Sequence, residues 1–129
     1  MKNPGRTQIT SKESPVTVEY YYKIKWGFQD EFIDLFKKNH YPLLKAQVES
    51  GRFLRFEAYA PRFHGDGRSD WTFMTIIVYK NWQAIAARTD QALVKRIYPD
   101  QKRYRLEEQR RFELVEAHWD VPLSPIPMS

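Results

Sequence analysis

The chain has no cysteine among its 129 residues. That excludes disulfides, thiolate metal ligands and cysteine nucleophiles. It has few glycines, five in all, and no glycine-rich phosphate loop. It also lacks the nucleophile-elbow pattern that would mark a serine hydrolase. No apolar run approaches the roughly 20 residues needed to span a membrane. Met1 to Pro15 is polar, carries Pro4, Gly5 and Pro15, and has no apolar centre of the signal-peptide kind. The expected location is therefore the cytoplasm, a removed export signal aside.

What is present is a ring-rich, basic composition. Apolar residues make up 42% and aromatics 16%, enough for one packed core. The formal net charge of +5 favours anionic partners in general. The cations concentrate late, at Lys95, Arg96, Lys102, Arg103, Arg105, Arg110 and Arg111.

The pattern divides the chain into an N-terminal arm (1–15), a folded region (16–121) and a proline-rich tail (122–129). Val16 to Trp26 alternates: Val18, Tyr20, Tyr22, Ile24 and Trp26 share one face, a strand signal. After Gly27, Phe32, Leu35, Phe36, Leu43 and Leu44 recur at helical spacing. Pro42 lacks an N–H and crowds the preceding turn. It predicts a break near Asn39–Tyr41 and a freed carbonyl at Lys38. Ser50-Gly51 ends this helix. Arg52 to Ala60 is a second strand, residues 61–70 a polar loop, and Trp71 to Tyr79 a third strand, apolar on both faces. Asn81 caps a helix running along Trp82, Ile85, Ala86, Thr89, Leu93, Arg96 and Ile97; Pro99 interrupts it, and Asp100 caps a charged continuation to about Arg111. Phe112 to Val121 is the fourth strand.

Strand, helix, strand, strand, helix, strand packs most simply as an α+β, ferredoxin-like βαββαβ fold: a four-stranded antiparallel sheet with helices on one face. The second face of the third strand is too apolar to stay wet, which predicts a homodimer that covers it.

The residues Tyr22-Lys23-Ile24-Lys25-Trp26-Gly27-Phe28-Gln29-Asp30-Glu31-Phe32, followed by Leu35-Phe36 and Pro42-Leu43-Leu44, resemble the opening of NIPSNAP-type proteins. Tyr79-Lys80-Asn81-Trp82 and the strand Glu113 to Val121 fall where that family would place them; the loop at 61–70 and the basic segment at 100–111 depart from it. The resemblance implies the dimeric α+β barrel superfamily, which includes cofactor-independent monooxygenases of antibiotic biosynthesis and haem-degrading enzymes. It also implies a ligand site between sheet and helices. Fold alone does not transmit function.

Three histidines are available for chemistry. His40 lies on or beside the inward helix face, next to Tyr41, and is a candidate catalytic base; the plainer reading is a core-edge ring bonded to backbone. His64, in the loop with Arg62, is a second catalytic candidate, or merely part of a solvated connection. His64, Asp66 and Asp70 match no metal-ligand spacing, so no metal is expected. His118 shares a strand face with Glu116 and Asp120, a polar stripe at the interface if that face looks into the barrel. Tyr22, Trp26, Phe36, Tyr41, Arg62, Trp71 and Phe73 are candidate ligand-binding residues, with Tyr20 and Trp119 as further aromatic wall; such rings more often form plain core.

Four functions compete. The first is a binder of a small apolar or aromatic molecule that, in its oxygenase version, needs no cofactor. The second is a haem-binding member with His40 as axial ligand. The third is nucleic-acid binding, disfavoured because the glycine-aromatic signature of RNA-recognition motifs is missing from the third strand, and Glu107 and Glu108 dilute the basic helix into a solvated face. The last is a non-catalytic dimeric adaptor.

Overall fold

A computed structural model describes residues 14–65 and 70–128. The expected flexible arm lies almost wholly outside these residues, as does Asp66. The elements run β1 (Val16–Ile24), α1 (Gln29–Asn39), α2 (Tyr41–Glu49), β2 (Phe53–Tyr59), β3 (Phe73–Tyr79), α3 (Trp82–Ala86), α4 (Gln91–Ile97), α5 (Gln101–Glu113) and β4 (Val115–Pro122). The strands form one sheet in the order β2-β3-β1-β4, antiparallel throughout. This is the α+β ferredoxin-like arrangement that the order of elements predicts.

Residues directly opposite in an antiparallel ladder share a face. Val16, Val18, Tyr20 and Tyr22 face Tyr79, Ile77, Thr75 and Phe73. Together with Phe32 and Phe36 of α1 and Leu44 of α2, most of these residues make the core. The helices therefore lie over this face. The opposite face presents rows across the sheet: Trp119, Tyr21, Met74 and Tyr59 in one, and Val121, Glu19, Ile76 and Glu57 in the next. Tyr21 stacks on Trp119 at 5.5 Å between ring centroids and meets the edge of Trp71 at 5.6 Å. The carboxylates of this face are already engaged: the Tyr21 hydroxyl donates to Glu19 (2.8 Å), and the Tyr59 hydroxyl to Glu57.

The turns follow from local chemistry. The first strand stops two residues earlier than alternation suggests, because the chain turns at Gly27, whose φ of +87° suits a residue without a Cβ. Trp26 consequently leaves the core face and is 83% exposed. The helix break at His40 falls where Pro42 predicts it, with Pro42 in the first turn of α2. Gly51, at φ +83°, closes α2.

The expected single helix from Trp82 to Ile97 is instead two. The Arg52 side chain donates to the carbonyls of Ala84 (2.8 Å) and Ala87 (2.7 Å), satisfying the end of α3. Asp90 then accepts from the Ala92 N–H and starts α4 afresh. The last strand begins at Val115, three residues later than predicted, because α5 continues to Glu113. Its register against β1 slips between Lys23 and Ile24, leaving Glu116 in a bulge.

Phe32 is fully buried, whereas Phe63 is 85% exposed. Phe32→Ala should cost roughly 3–5 kcal/mol in urea unfolding, and Phe63→Ala should stay within about 0.5 kcal/mol.

Candidate functional site

Between the sheet and the helices lies an open cleft of about 640 Å³. β1 and β3 supply its floor through Tyr20, Tyr22, Thr75, Ile77 and Tyr79; α2 supplies Leu43, Leu44 and Gln47; α5 supplies Tyr104, Glu108 and Arg111. His40 enters from the break between α1 and α2, and His118 from the edge strand β4.

Arg111 is the unusual member. Its side chain is almost fully buried, which is rare for a guanidinium. Glu108 accepts from it through both oxygens, at 3.0 and 2.8 Å. The rings of Phe112, Phe36 and Phe32 lie 4.8, 5.6 and 5.9 Å from the guanidinium carbon, within cation–π range. A bidentate pair on one helix, walled by rings, is how a buried cation stays tolerable.

His40 packs edge-on against Phe36 at 5.0 Å. Desolvation, with the positive charge of Arg111 next and His118 after it, drives its pKa down to about 3. At neutral pH its imidazole is uncharged, with one nitrogen to donate and one to accept. Tyr22 is pushed up to about 12 by burial, against a smaller opposing pull from Arg111. Tyr20 and Tyr79 share a hydroxyl–hydroxyl hydrogen bond of 2.6 Å. Burial and that bond raise the Tyr20 pKa far above its usual range, so Tyr20 and Tyr22 are both uncharged at neutral pH.

His118 pairs opposite Tyr22, which puts it on the helix side of the sheet. Its stripe with Asp120 therefore looks toward the cleft and not onto the open face, correcting the conditional expectation of an interface stripe. The ring lies flat on Tyr22 at 4.1 Å and 17°. Nδ1 donates to the Tyr21 carbonyl (2.8 Å), and Nε2 lies 3.2 Å from the Asp120 carboxylate. The Nδ1 bond and the stack on Tyr22 hold a flat aromatic platform at the cleft mouth.

The candidate residues separate into three groups. Tyr22 and His40 line the cleft. Trp26, Arg62, His64 and Trp71 line a different cavity, at the strand ends beside the 60–72 connection. Phe36 and Phe73 are core, and Tyr41 packs on Phe56 at 5.7 Å. Arg111 and Glu108 were hidden in a helix whose charge reads as a solvated face; the structure corrects that reading for this pair. The available signal was their spacing of three beside Leu114, itself buried. Among the described residues no group of three histidine, aspartate or glutamate side chains is placed to hold a metal, and no helix is long and apolar enough to cross a membrane.

The fold is a ferredoxin-like α+β arrangement with an open cleft between sheet and helices. Among solved structures it is similar to a NIPSNAP family protein from Agrobacterium tumefaciens, with a TM-score of 0.54 and 16% identity over 90% of this chain and 97% of that one. It is also similar to a dimeric ferredoxin-like protein from an uncultured marine organism (TM-score 0.59, 7% identity, 93% and 97% covered). A third likeness is to SnoaB, a cofactor-independent oxygenase from Streptomyces nogalater (TM-score 0.52, 13% identity, 88% and 95% covered). No protein-family model and no curated protein matches the chain.

Glu108→Gln would leave the buried Arg111 without its counter-charge, at a cost of roughly 3–5 kcal/mol by urea unfolding. The double change Glu108→Leu with Arg111→Met should recover most of that loss, giving a strong coupling in a double-mutant cycle.

Proposed function

We propose that this chain forms a homodimer through its open sheet faces and binds a small, flat, largely apolar molecule in the cleft of each subunit. The single observation that carries the binding half is the convergence of neutral polar groups on an aromatic platform. Tyr22 and His118 stack as a flat surface, while His40, Tyr79 and Gln47 offer uncharged donors and acceptors. The buried cation is matched by Glu108, so the interior offers little to an isolated charge. An uncharged aromatic ligand carrying a hydroxyl or carbonyl fits that lining.

The dimer half rests on the apolar rows through Met74, Ile76, Val78 and Trp119, which the protein's own helices do not cover. A second copy related by a two-fold axis meets like with like across such a face. Structures of the same fold described as dimeric support this reading.

A second reading, oxygenation without a cofactor, is supported by the neutral imidazole of His40 and the fold shared with SnoaB. In it His40 takes a proton from a phenol-like substrate, and the electron-rich anion reacts with oxygen. With a pKa near 3 the imidazole is a weak base. The proton would stay on it only if the substrate anion, held beside it, balances the new charge. The geometry therefore favours binding over proton abstraction.

The uncharged probe 1-naphthol should shift the ring resonances of His40 and His118 in NMR titrations. His118→Ala should weaken it roughly three- to tenfold by removing the stacking surface. Unmoved histidine resonances would reject the cleft as a ligand site. Separately, Ile76→Glu should convert the dimer to monomers in sedimentation equilibrium; a wild-type chain that sediments as a monomer at high micromolar concentration contradicts the dimer.

A further inference from the structure

The cavity at the strand ends is distinct from the cleft, and the residues around it point to a different ligand. It encloses about 800 Å³. Aromatic side chains line it from both sides of the sheet end: Trp26 after β1, Phe63 and His64 after β2, and Trp71 before β3. Trp26 and Phe63 are 83% and 85% exposed, so two of the largest apolar surfaces of the protein stand uncovered beside an open cavity. The Trp26 and His64 rings lie 5.4 Å apart at 47°, forming a corner and not a closed stack.

Among the described residues the lining carries three cations, Lys23, Lys25 and Arg62, against two carboxylates, Asp70 and Glu116. Lys23 is paired with Glu116 at 3.8 Å, and Asp70 lies against Gly65, where a Cβ would overlap its carboxylate. Lys25 and Arg62 also line the cavity, and among the described residues no carboxylate lies within ion-pair distance of either. Gln29 forms part of the wall. Its amide nitrogen donates to the Thr72 carbonyl, while its amide oxygen is buried without a partner. Aromatic faces supply area, and two unmatched cations on the rim supply the sign.

We infer that this cavity is a second binding site, for an aromatic anion: a ring system that stacks against Trp26 and Trp71 and carries a carboxylate toward Lys25 and Arg62. The site discriminates by charge in the opposite sense from the cleft, whose buried cation is already matched. It stands on its own geometry, independent of what the cleft binds.

The four tryptophans are reporters already in place. Trp26 and Trp71 line this cavity, while Trp82 and Trp119 do not. The full chain, labelled with nitrogen-15, is titrated with 1-naphthoate and with its uncharged analogue 1-naphthamide, and the indole N–H resonances are followed. The inference predicts that naphthoate shifts Trp26 and Trp71 and leaves Trp82 in place. It predicts that naphthamide binds roughly tenfold more weakly, and that Lys25→Gln with Arg62→Gln weakens naphthoate by roughly three- to tenfold. Both changes are at exposed side chains, so the variant should fold, and its unchanged thermal midpoint checks this. His118→Ala, which alters the cleft, should leave naphthoate affinity as it was. Equal shifts at all four indoles, equal affinity for acid and amide, or affinity untouched by the paired glutamines would each overturn the inference. So would the absence of any shift at millimolar naphthoate.

Discussion

Burying one guanidinium organises the helical side of this protein. Arg111 is a permanent cation held away from water, and desolvating such a group costs several kcal/mol unless its partners are fixed. Glu108 supplies the counter-charge through both oxygens, and Phe32, Phe36 and Phe112 supply ring faces. The demand for all of these at once sets α5 over α1. Outside the core, Arg110 with Glu31 (2.6 Å) and Lys38 with Glu107 (2.9 Å) bridge the same two helices. These exposed pairs contribute little individually, so they tune an alignment that the buried pair sets. One consequence reaches the cleft directly: the cation beside His40 adds to desolvation in keeping that ring neutral.

The sheet imposes the second constraint. Period-two side-chain alternation gives it two faces, and the helices cover one. On the covered side, Tyr22 and Tyr79 are both core and cleft floor, and Tyr20 packs against that core, so the cleft surface is continuous with the packing that stabilises the fold. On the uncovered side, tyrosine hydroxyls already hydrogen-bond the carboxylates of Glu19 and Glu57. That lowers the cost of drying the face against a second copy. The edge strand β4 serves both sides, sending His118 to the cleft and Trp119 to the open face.

Much of this was legible in the sequence. Alternation in Val16–Ile24, the Pro42 break and the two apolar faces of β3 carry the fold, because each follows from local geometry. The caps at Asn81 and Asp100 form as their side chains suggest. What could not be read depends on partners distant in sequence. The split of α3 from α4 needs Arg52, more than thirty residues away, to take the carbonyls that a continuing helix would use. His118 required a partner: its place opposite Tyr22 sets its face, and alternation within β4 alone does not say which face the helices cover. Tyr22 and Trp26 share a face in the alternation, yet the turn at Gly27 takes Trp26 away from the cleft that Tyr22 lines, to the cavity that Trp71 also lines. Arg111 was obscured by its own helix, where charge on nearly every face masks the one buried position.

The central claim is that burial, with Arg111 beside it, keeps the His40 ring of the cleft uncharged. The most direct measurement is the NMR titration of the His40 ring from neutral pH downward, in the wild-type chain and in Arg111→Met. The folded pKa is depressed below the unfolded value of 6.5, to about 3. The neutral ring therefore stabilises the fold fully above 6.5, and this contribution fades as the pH falls toward 3. The account predicts a ring that stays neutral at pH 5 in the wild-type chain and whose pKa moves back toward 6.5 when the cation is removed. A His40 ring that gains its proton near pH 6.5 with Arg111 in place would contradict it.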